Sequence, residues 1–290
     1  MLDQHEIYEQ VILETLGPMA QLKSASLIAA GNHNQGIRLE TSEGIFFLKL
    51  NFDHEKKILV KEAEGLQLLR KSTFLKIPQT FGHGRIEDYN YLLSEFIPSA
   101  RQQLNYWENL GLGLAQLHLN KAKKFGLETD NYIASLHQKN HQFDTWLDFF
   151  IEQRLEPMLG RSYFDRLIPL DFLKKFQAIY PKLDSIFPKE KPVLLHGDLW
   201  SGNVICDGEG QPCLIDPAVY YGHREMDLAF SRLFGGFDSR FYEAYDSINP
   251  LEPDFESRMG IYNLYPLLVH LNLFGTAYLP GIEKILKRFQ

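Results

Sequence analysis

The chain has 290 residues, 44% hydrophobic and 13% aromatic, with a formal net charge of −7. That composition supplies a large core and argues against long disordered stretches, and the acidic balance works against nucleic-acid partners, which are bound through basic faces. No run of about 18 apolar residues is present, which argues against a membrane span. The first residues, Met1 to Glu6, are polar and acidic rather than basic then apolar. No secretory signal is expected, and the chain is placed in the cytoplasm with neither a membrane nor a nucleic-acid partner.

In chain order, the spacing of Ile7, Val11 and, with drift, Glu14 and Leu16 predicts a helix over Asp3 to Leu16, stopped by Gly17-Pro18. Strands are predicted over Ser26–Ala30, Ile37–Thr41 and Ile45–Leu50, the last two joined by the turn Ser42-Glu43-Gly44. Alternation in the third strand puts Phe46, Leu48 and Leu50 on one face and Ile45, Phe47 and Lys49 on the other. A helix is predicted over about His54 to Lys71, with Leu59, Leu66 and Leu69 forming an apolar stripe. Glu62 lies within that stripe while Glu64 points away. A carboxylate so placed needs a partner, because an unpaired buried charge is expensive, and Lys49 is the candidate.

Tyr91 to Ile97 reads as another apolar strand, ended by Pro98-Ser99. Beyond it the chain turns mainly helical: Leu110, Leu114 and Leu117 repeat at helical spacing, and Trp146, Phe149, Phe150 and Leu155 follow the candidate cap Asp144. Residues 121–142, rich in Lys, His, Gln and Asn, read as loop and as a possible border of a substrate entrance. Three short buried strands are predicted at Val193–Leu195, Val204–Cys206 and Cys213–Ile215, with Asp207 to Gly210 as the turn between the last two. Cys206 and Cys213 flank that turn and are expected as reduced, buried thiols, without metal-site spacing.

His196-Gly197-Asp198-Leu199-Trp200-Ser201-Gly202-Asn203 and the later Ile215-Asp216-Pro217 carry the strongest chemical signal. They fit the His-x-Asp, Asn and metal-binding Asp of a kinase catalytic loop. Phosphoryl transfer asks for a carboxylate beside the acceptor hydroxyl and for an amide and a second carboxylate holding metal against phosphates. Asp198 is therefore the candidate base, and Asn203 and Asp216 are the candidate ligands of Mg²⁺, a hard cation that prefers oxygen donors. Lys49, aimed by Glu62, is the candidate for neutralising the phosphates of ATP. The loop Gly31-Asn32-His33-Asn34-Gln35-Gly36 occupies the place of a phosphate-covering loop but carries His33 at the middle glycine position; Gly31, Asn32 and Gly36 are its candidate contacts. His196 is read as structural and Asp227 as a brace of the catalytic loop.

The wording of HGDLWSGN, of IDPAVYYGHREMDLA over Ile215 to Ala229, of WLDFFIEQRLEP over Trp146 to Pro157 and of YNLYPLLVHLNLFGTAY over Tyr262 to Tyr278 resembles the fructosamine kinase (ketosamine 3-kinase) family. The resemblance implies an α+β, two-lobed protein-kinase-like fold: a small antiparallel-sheet lobe over 1–97 and a larger, mainly helical lobe over 98–290, sharing one cleft. It implies adenine contacts from the hinge residues Glu95, Phe96 and Ile97. It also implies ATP-dependent phosphorylation of the 3-hydroxyl of a fructosamine or ribulosamine, carried on a small amine or a protein lysine, with release of the amine after the ester eliminates. Trp200, beside the base, is the candidate for stacking on substrate, with packing against the lower lobe as its other reading. A kinase of an aminoglycoside, choline or homoserine, and a nucleotide-binding scaffold without turnover, remain the competing readings.

Overall fold

A computed structural model describes residues 3–30, 34–52 and 57–289. Helix α1 (Gln4–Leu16) begins at a capping box in which Asp3 Oδ1 accepts from the Glu6 amide at 2.9 Å and Glu6 Oε2 accepts from the Asp3 amide at 2.8 Å. It ends at Gly17, whose φ of 91° a residue with a Cβ adopts only under strain. Strands β1 (Leu22–Ala30), β2 (Asn34–Thr41) and β3 (Gly44–Asn51) follow, then α2 (Ile58–Arg70), β4 (Thr80–Ile86) and β5 (Tyr89–Glu95). They form one antiparallel sheet in the order β1-β2-β3-β5-β4.

The alternation read in β3 is present: Phe46, Leu48 and Leu50 are buried, packed with Ile7, Val11 and Ile12 of α1. β4 was not anticipated, because its sequence Thr-Phe-Gly-His-Gly-Arg-Ile offers little apolar alternation. Its glycines are there for close approach: a Cβ on Gly82 would lie 2.5 Å from the Thr15 side chain of α1. The helix expected over His54 to Lys71 is described from Ile58 to Arg70; His54 lies outside the described residues.

The rest of the chain runs through α3 (Tyr106–Leu117), the short hairpin β6 (Asn131–Ile133) and β7 (Leu136–Gln138), α4 (Trp146–Phe149), a π-helical stretch (Phe150–Leu155), α5 (Glu156–Phe164), α6 (Leu170–Gln177) and α7 (Tyr180–Ile186). Then come β8 (Val193–Leu195), β9 (Val204–Cys206), β10 (Pro212–Leu214), β11 (Tyr220–Gly222), α8 (Glu225–Leu233), α9 (Ser239–Ile248), α10 (Phe255–Phe274) and α11 (Leu279–Phe289). β9 pairs with β10 and β8 with β11. Cys206 and Cys213 are free; Cys213 is buried and Cys206 only partly so, a departure from the expectation that both are buried.

The chain divides into two compact units, Met1–Tyr106 with Val204–Asp216, and Trp107–Asn203 with Pro217–Gln290. The small sheet unit and the mainly helical unit have the expected architecture, but the boundary differs from the division at residue 97. The first unit extends to Tyr106 because Gln103 donates its amide to the Gly210 carbonyl at 3.0 Å and Leu214 donates to the Lys76 carbonyl at 3.0 Å, tying the β9–β10 hairpin into it. Residues 121–142 also differ from the expected loop. Asn131, Gln138 and Asn140 are buried. Asn131 Nδ2 donates to the Val219 carbonyl at 2.8 Å and Gln138 Nε2 to the Ala218 carbonyl at 3.0 Å, so the amides that read as solvent-loving serve the backbone of a neighbouring segment instead.

Candidate active site

In the first unit, β3 presents Lys49 opposite Gly36 on one side and Leu92 on the other, away from the core face. Lys49 Nζ lies 3.0 and 2.9 Å from the two oxygens of Glu62 and 3.0 Å from Asp216 Oδ1. Lys49 and Glu62 are each only 12% exposed, whereas Asp216 is 47% exposed. Burial works against the Lys49 ammonium, but the Asp216 and Glu62 carboxylates outweigh it and hold its pKa above the usual lysine value. Burial pushes the Glu62 carboxyl up to about 7 against the pull of Lys49, with Asp216 adding to the rise. Glu64 faces outward and pairs with Lys61 at 2.8 Å, as the helix face predicts.

The charged cluster lines a cavity of about 420 Å³, within the range of small-molecule sites. Ile28, Ala30, Phe47, Ile205 and Ile215 supply apolar walls, and Gly36, Glu95, Phe96 and Ile97 also line it. The Glu95 carboxylate is committed to Lys76 and to the Gln79 amide, and the Glu95 amide donates to the Gln79 carbonyl at 2.7 Å, so neither this side chain nor its N–H is spare for a ligand. Of the loop residues expected at the phosphates, Gly31, Asn32 and His33 lie outside the described residues.

In the second unit the loop after β8 is fixed by backbone bonds to one buried carboxylate. Asp227 Oδ2 accepts from the His196 amide at 2.7 Å and Oδ1 from the Gly197 amide at 3.0 Å. His118 Nε2 lies 3.3 Å from Asp227, and its Nδ1 is 2.7 Å from the Tyr245 hydroxyl; all three side chains are essentially without solvent contact. Gly197 is required here: its φ is 82°, and a Cβ would stand 2.0 Å from the Ala218 carbonyl oxygen. His196 is fully buried, and its Nδ1 faces the Asp198 amide at 3.3 Å, a bracing position.

Asn203 Nδ2 donates to both the Asp198 carbonyl and Asp198 Oδ2 at 2.8 Å. With its nitrogen so used, the amide oxygen of Asn203 is the end left for a hard cation. In the first unit, Asp216, held at a φ of 51°, has a carboxylate that is 47% exposed beside its contact with Lys49. Oxygen donors of this kind fit Mg²⁺ that is also held by phosphates. Trp200 packs its ring edge-on to Phe234, centroids 6.2 Å apart, and over Gly202, where a Cβ would meet the indole at 2.4 Å. The packing reading is present, and the ring remains partly exposed beyond these contacts.

The sequence reading missed His118 and Tyr245. His118 follows the Leu110/Leu114/Leu117 stripe directly, a visible cue, but its partner Asp227 is 109 positions away and nothing local identifies it. Arg154 was missed as well. It is fully buried within the π-helical stretch, donating to the Lys139 carbonyl and to Asn140 Oδ1, with its guanidinium 3.9 Å from the Tyr220 ring centroid.

The fructosamine kinase family model matches residues 4–290. The chain is similar to a probable ketoamine kinase of Enterococcus faecium, 39% identical over 264 residues covering 90% of this chain and 94% of the relative. It is similar to a chloroplastic protein-ribulosamine 3-kinase of Arabidopsis thaliana, 33% identical over 283 residues covering 96% of this chain and 85% of the relative. A solved structure from Haemophilus somnus, assigned to the fructosamine-3-kinases, superposes with a TM-score of 0.88 at 28% identity, covering 97% of this chain and 96% of the other.

Proposed function

Because the chain belongs to the fructosamine kinase family, whose members act as ketosamine kinases, we propose that it transfers the γ-phosphoryl group of ATP to the 3-hydroxyl of a fructosamine or ribulosamine. The observation that carries the reading is the pairing of a buried, fully countered lysine in an apolar cavity with a separately braced Asp198 loop. ATP occupies the cavity of the first unit, with adenine against the Glu95–Ile97 backbone and the phosphates toward Lys49. Asn203 and Asp216 would hold Mg²⁺, which would supply charge neutralisation of the phosphates.

Asp198 accepts the proton of the acceptor hydroxyl. The hydroxyl oxygen forms the new bond to phosphorus, and the bond from phosphorus to the bridging oxygen breaks, leaving ADP. Lys49 offsets the negative charge of the phosphates and Glu62 holds the ammonium in place. Asn203, donating to Asp198 Oδ2, fixes the base in one orientation. The product ester loses inorganic phosphate by elimination, and hydrolysis then frees the amine, so the enzyme serves deglycation of small amines or of protein lysines. It works in the cytoplasm as a water-soluble enzyme; among the described residues no helix is long and apolar enough to cross a membrane.

The test is ADP release with Mg²⁺ across a panel of ketosamines, free ketoses, choline, homoserine and an aminoglycoside. The reading expects kcat/KM to be highest for a ketosamine, because a substrate missing its amine half loses binding energy used for orientation. Highest turnover on choline, homoserine or an aminoglycoside would transfer the same machinery to another alcohol. Nucleotide binding without turnover on any member would make the chain a scaffold.

A further inference from the structure

The motifs that distinguish this chain from kinases at large end in aromatic residues that the transfer step does not use. Asp198 and Trp200, two residues apart in the loop, are both partly exposed, while Leu199 between them is fully buried. From the indole a run of rings continues within the second unit. Phe234 lies 6.2 Å from Trp200, His270 lies 4.7 Å from Phe234, and Phe274 and Tyr278 lie 5.5 and 5.1 Å from His270, as centroid distances.

Several of these rings are wet. Phe274 is 65% exposed and Phe234 39%, and Trp200, His270 and Tyr278 are partly exposed, an uncommon density of accessible aromatic surface beside a catalytic loop. His270 is held in one tautomer: the Pro266 carbonyl can only accept, so the 2.8 Å contact makes Nδ1 the donor and leaves Nε2 as a lone pair. Burial lowers the pKa of His270, opposed by its bond to Pro266, so the ring is neutral near pH 7. The shelf therefore combines negative ring faces with one acceptor atom and no cation of its own among these five side chains. Such a surface is complementary to an alkylammonium group, which ring faces attract and which an imidazole lone pair hydrogen-bonds.

Resting on the ketosamine reading, we infer that the Phe234, His270, Phe274 and Tyr278 shelf binds the protonated amine half of the acceptor, while the sugar lies at Trp200 and Asp198. The order of the rings follows the order of the substrate. The reacting hydroxyl belongs to the sugar and must be at Asp198, so the amine extends outward along the rings that continue from Trp200. Discrimination between ketosamines and other sugars then resides in this shelf and not in the transfer machinery.

The experiment compares kcat/KM for a fructosamine of a lysine-like amine with that for its N-acetylated analogue, which keeps the sugar but carries no positive charge. Wild type should prefer the charged compound, and Phe274→Ala and His270→Phe should each reduce that preference, by roughly three- to thirtyfold for loss of an aromatic face or acceptor at an ammonium. KM for the nucleotide should not move. Phe164→Ala, which removes an equally prominent ring at 84% exposure elsewhere in the unit, should keep the preference. A preference unchanged in both shelf variants, or lost equally in Phe164→Ala, overturns the inference while leaving ketosamine kinase activity intact. A wild-type protein inactive on every ketosamine instead removes the reading on which the inference stands, and the inference with it.

Discussion

The Lys49 cluster and the Asp198 loop solve the problem of placing a charged group in opposite ways. At Lys49 the fold buries charge against charge, with Glu62 and Asp216 both within 3.0 Å of the ammonium. At Asp198 the carboxylate stays partly exposed, and the order is imposed from behind, by backbone amides bonded to a fully buried Asp227. The difference suits the proposed roles of the two groups. A lysine that meets phosphates can keep its counter-charges and lend its field, whereas a base must present lone pairs to a substrate and cannot spend them on internal ion pairs.

The largest expected effect separates placement from chemistry. Asp198→Asn keeps the size of the side chain and an oxygen for Asn203 to bond while removing the proton acceptor, so turnover should fall by ~10² to 10⁴ while nucleotide affinity stays within about twofold. A loss of turnover under about tenfold, measured by steady-state kinetics, would remove Asp198 from the role of base.

Glu62→Ala against Glu64→Ala tests the first region directly. Without Glu62 the ammonium keeps only Asp216 and loses its fixed direction, and a misplacement of that kind costs on the order of 10²-fold in kcat/KM. Glu64 sits on the outer face of α2 with Lys61, where an exposed pair contributes ~0–1 kcal/mol, and its removal should leave kinetics nearly unchanged. Equal losses would mean that the two faces of α2 do not differ in function.

Asp227→Ala attacks the second region from behind. Two buried amides, those of His196 and Gly197, lose their acceptor, at roughly 1–3 kcal/mol for each buried group left unsatisfied. Urea unfolding should therefore show a loss of several kcal/mol. A change below about 1 kcal/mol would show that the loop does not depend on this carboxylate.

A smaller, pH-dependent effect sharpens the contrast between charged and neutral support. His223 is buried against Trp146, and burial first, then Arg258 and Arg224, lower its pKa to about 3. Between the unfolded value of about 6.5 and that folded value, the unfolded chain binds a proton that the folded chain does not, so stability is lost as pH falls, by up to ~1.4 kcal/mol per pH unit. His223→Gln should flatten the stability curve below about pH 6 relative to wild type. Parallel curves would contradict the assignment of a neutral His223.

The sequence made the first region legible because its logic is local and periodic. Alternation placed Lys49 on the side of β3 away from the core, and helical spacing placed Glu62 in a stripe where a carboxylate needs a partner. The His196–Asn203 segment was legible as a motif, since Asp198 and Asn203 stand five residues apart and meet directly. What escaped was support contributed from far along the chain. His118, Tyr245 and Arg154 read as ordinary helix residues, and β4 hid behind two glycines whose purpose is clear only once α1 and Tyr91 lie against them. The amides of 131–140 were misread for the same reason: polarity marks a surface loop unless a distant backbone takes up its hydrogen bonds.

The central claim is that this chain phosphorylates the 3-hydroxyl of a ketosamine. Incubating a ¹³C-labelled fructosamine with the protein, ATP and Mg²⁺, and recording carbon–phosphorus coupling by NMR, tests it most directly. The account predicts stoichiometric ADP and a new phosphate ester whose couplings place phosphorus on the oxygen of C3. An ester at another carbon, or ADP formed with the fructosamine left unmodified, would contradict it.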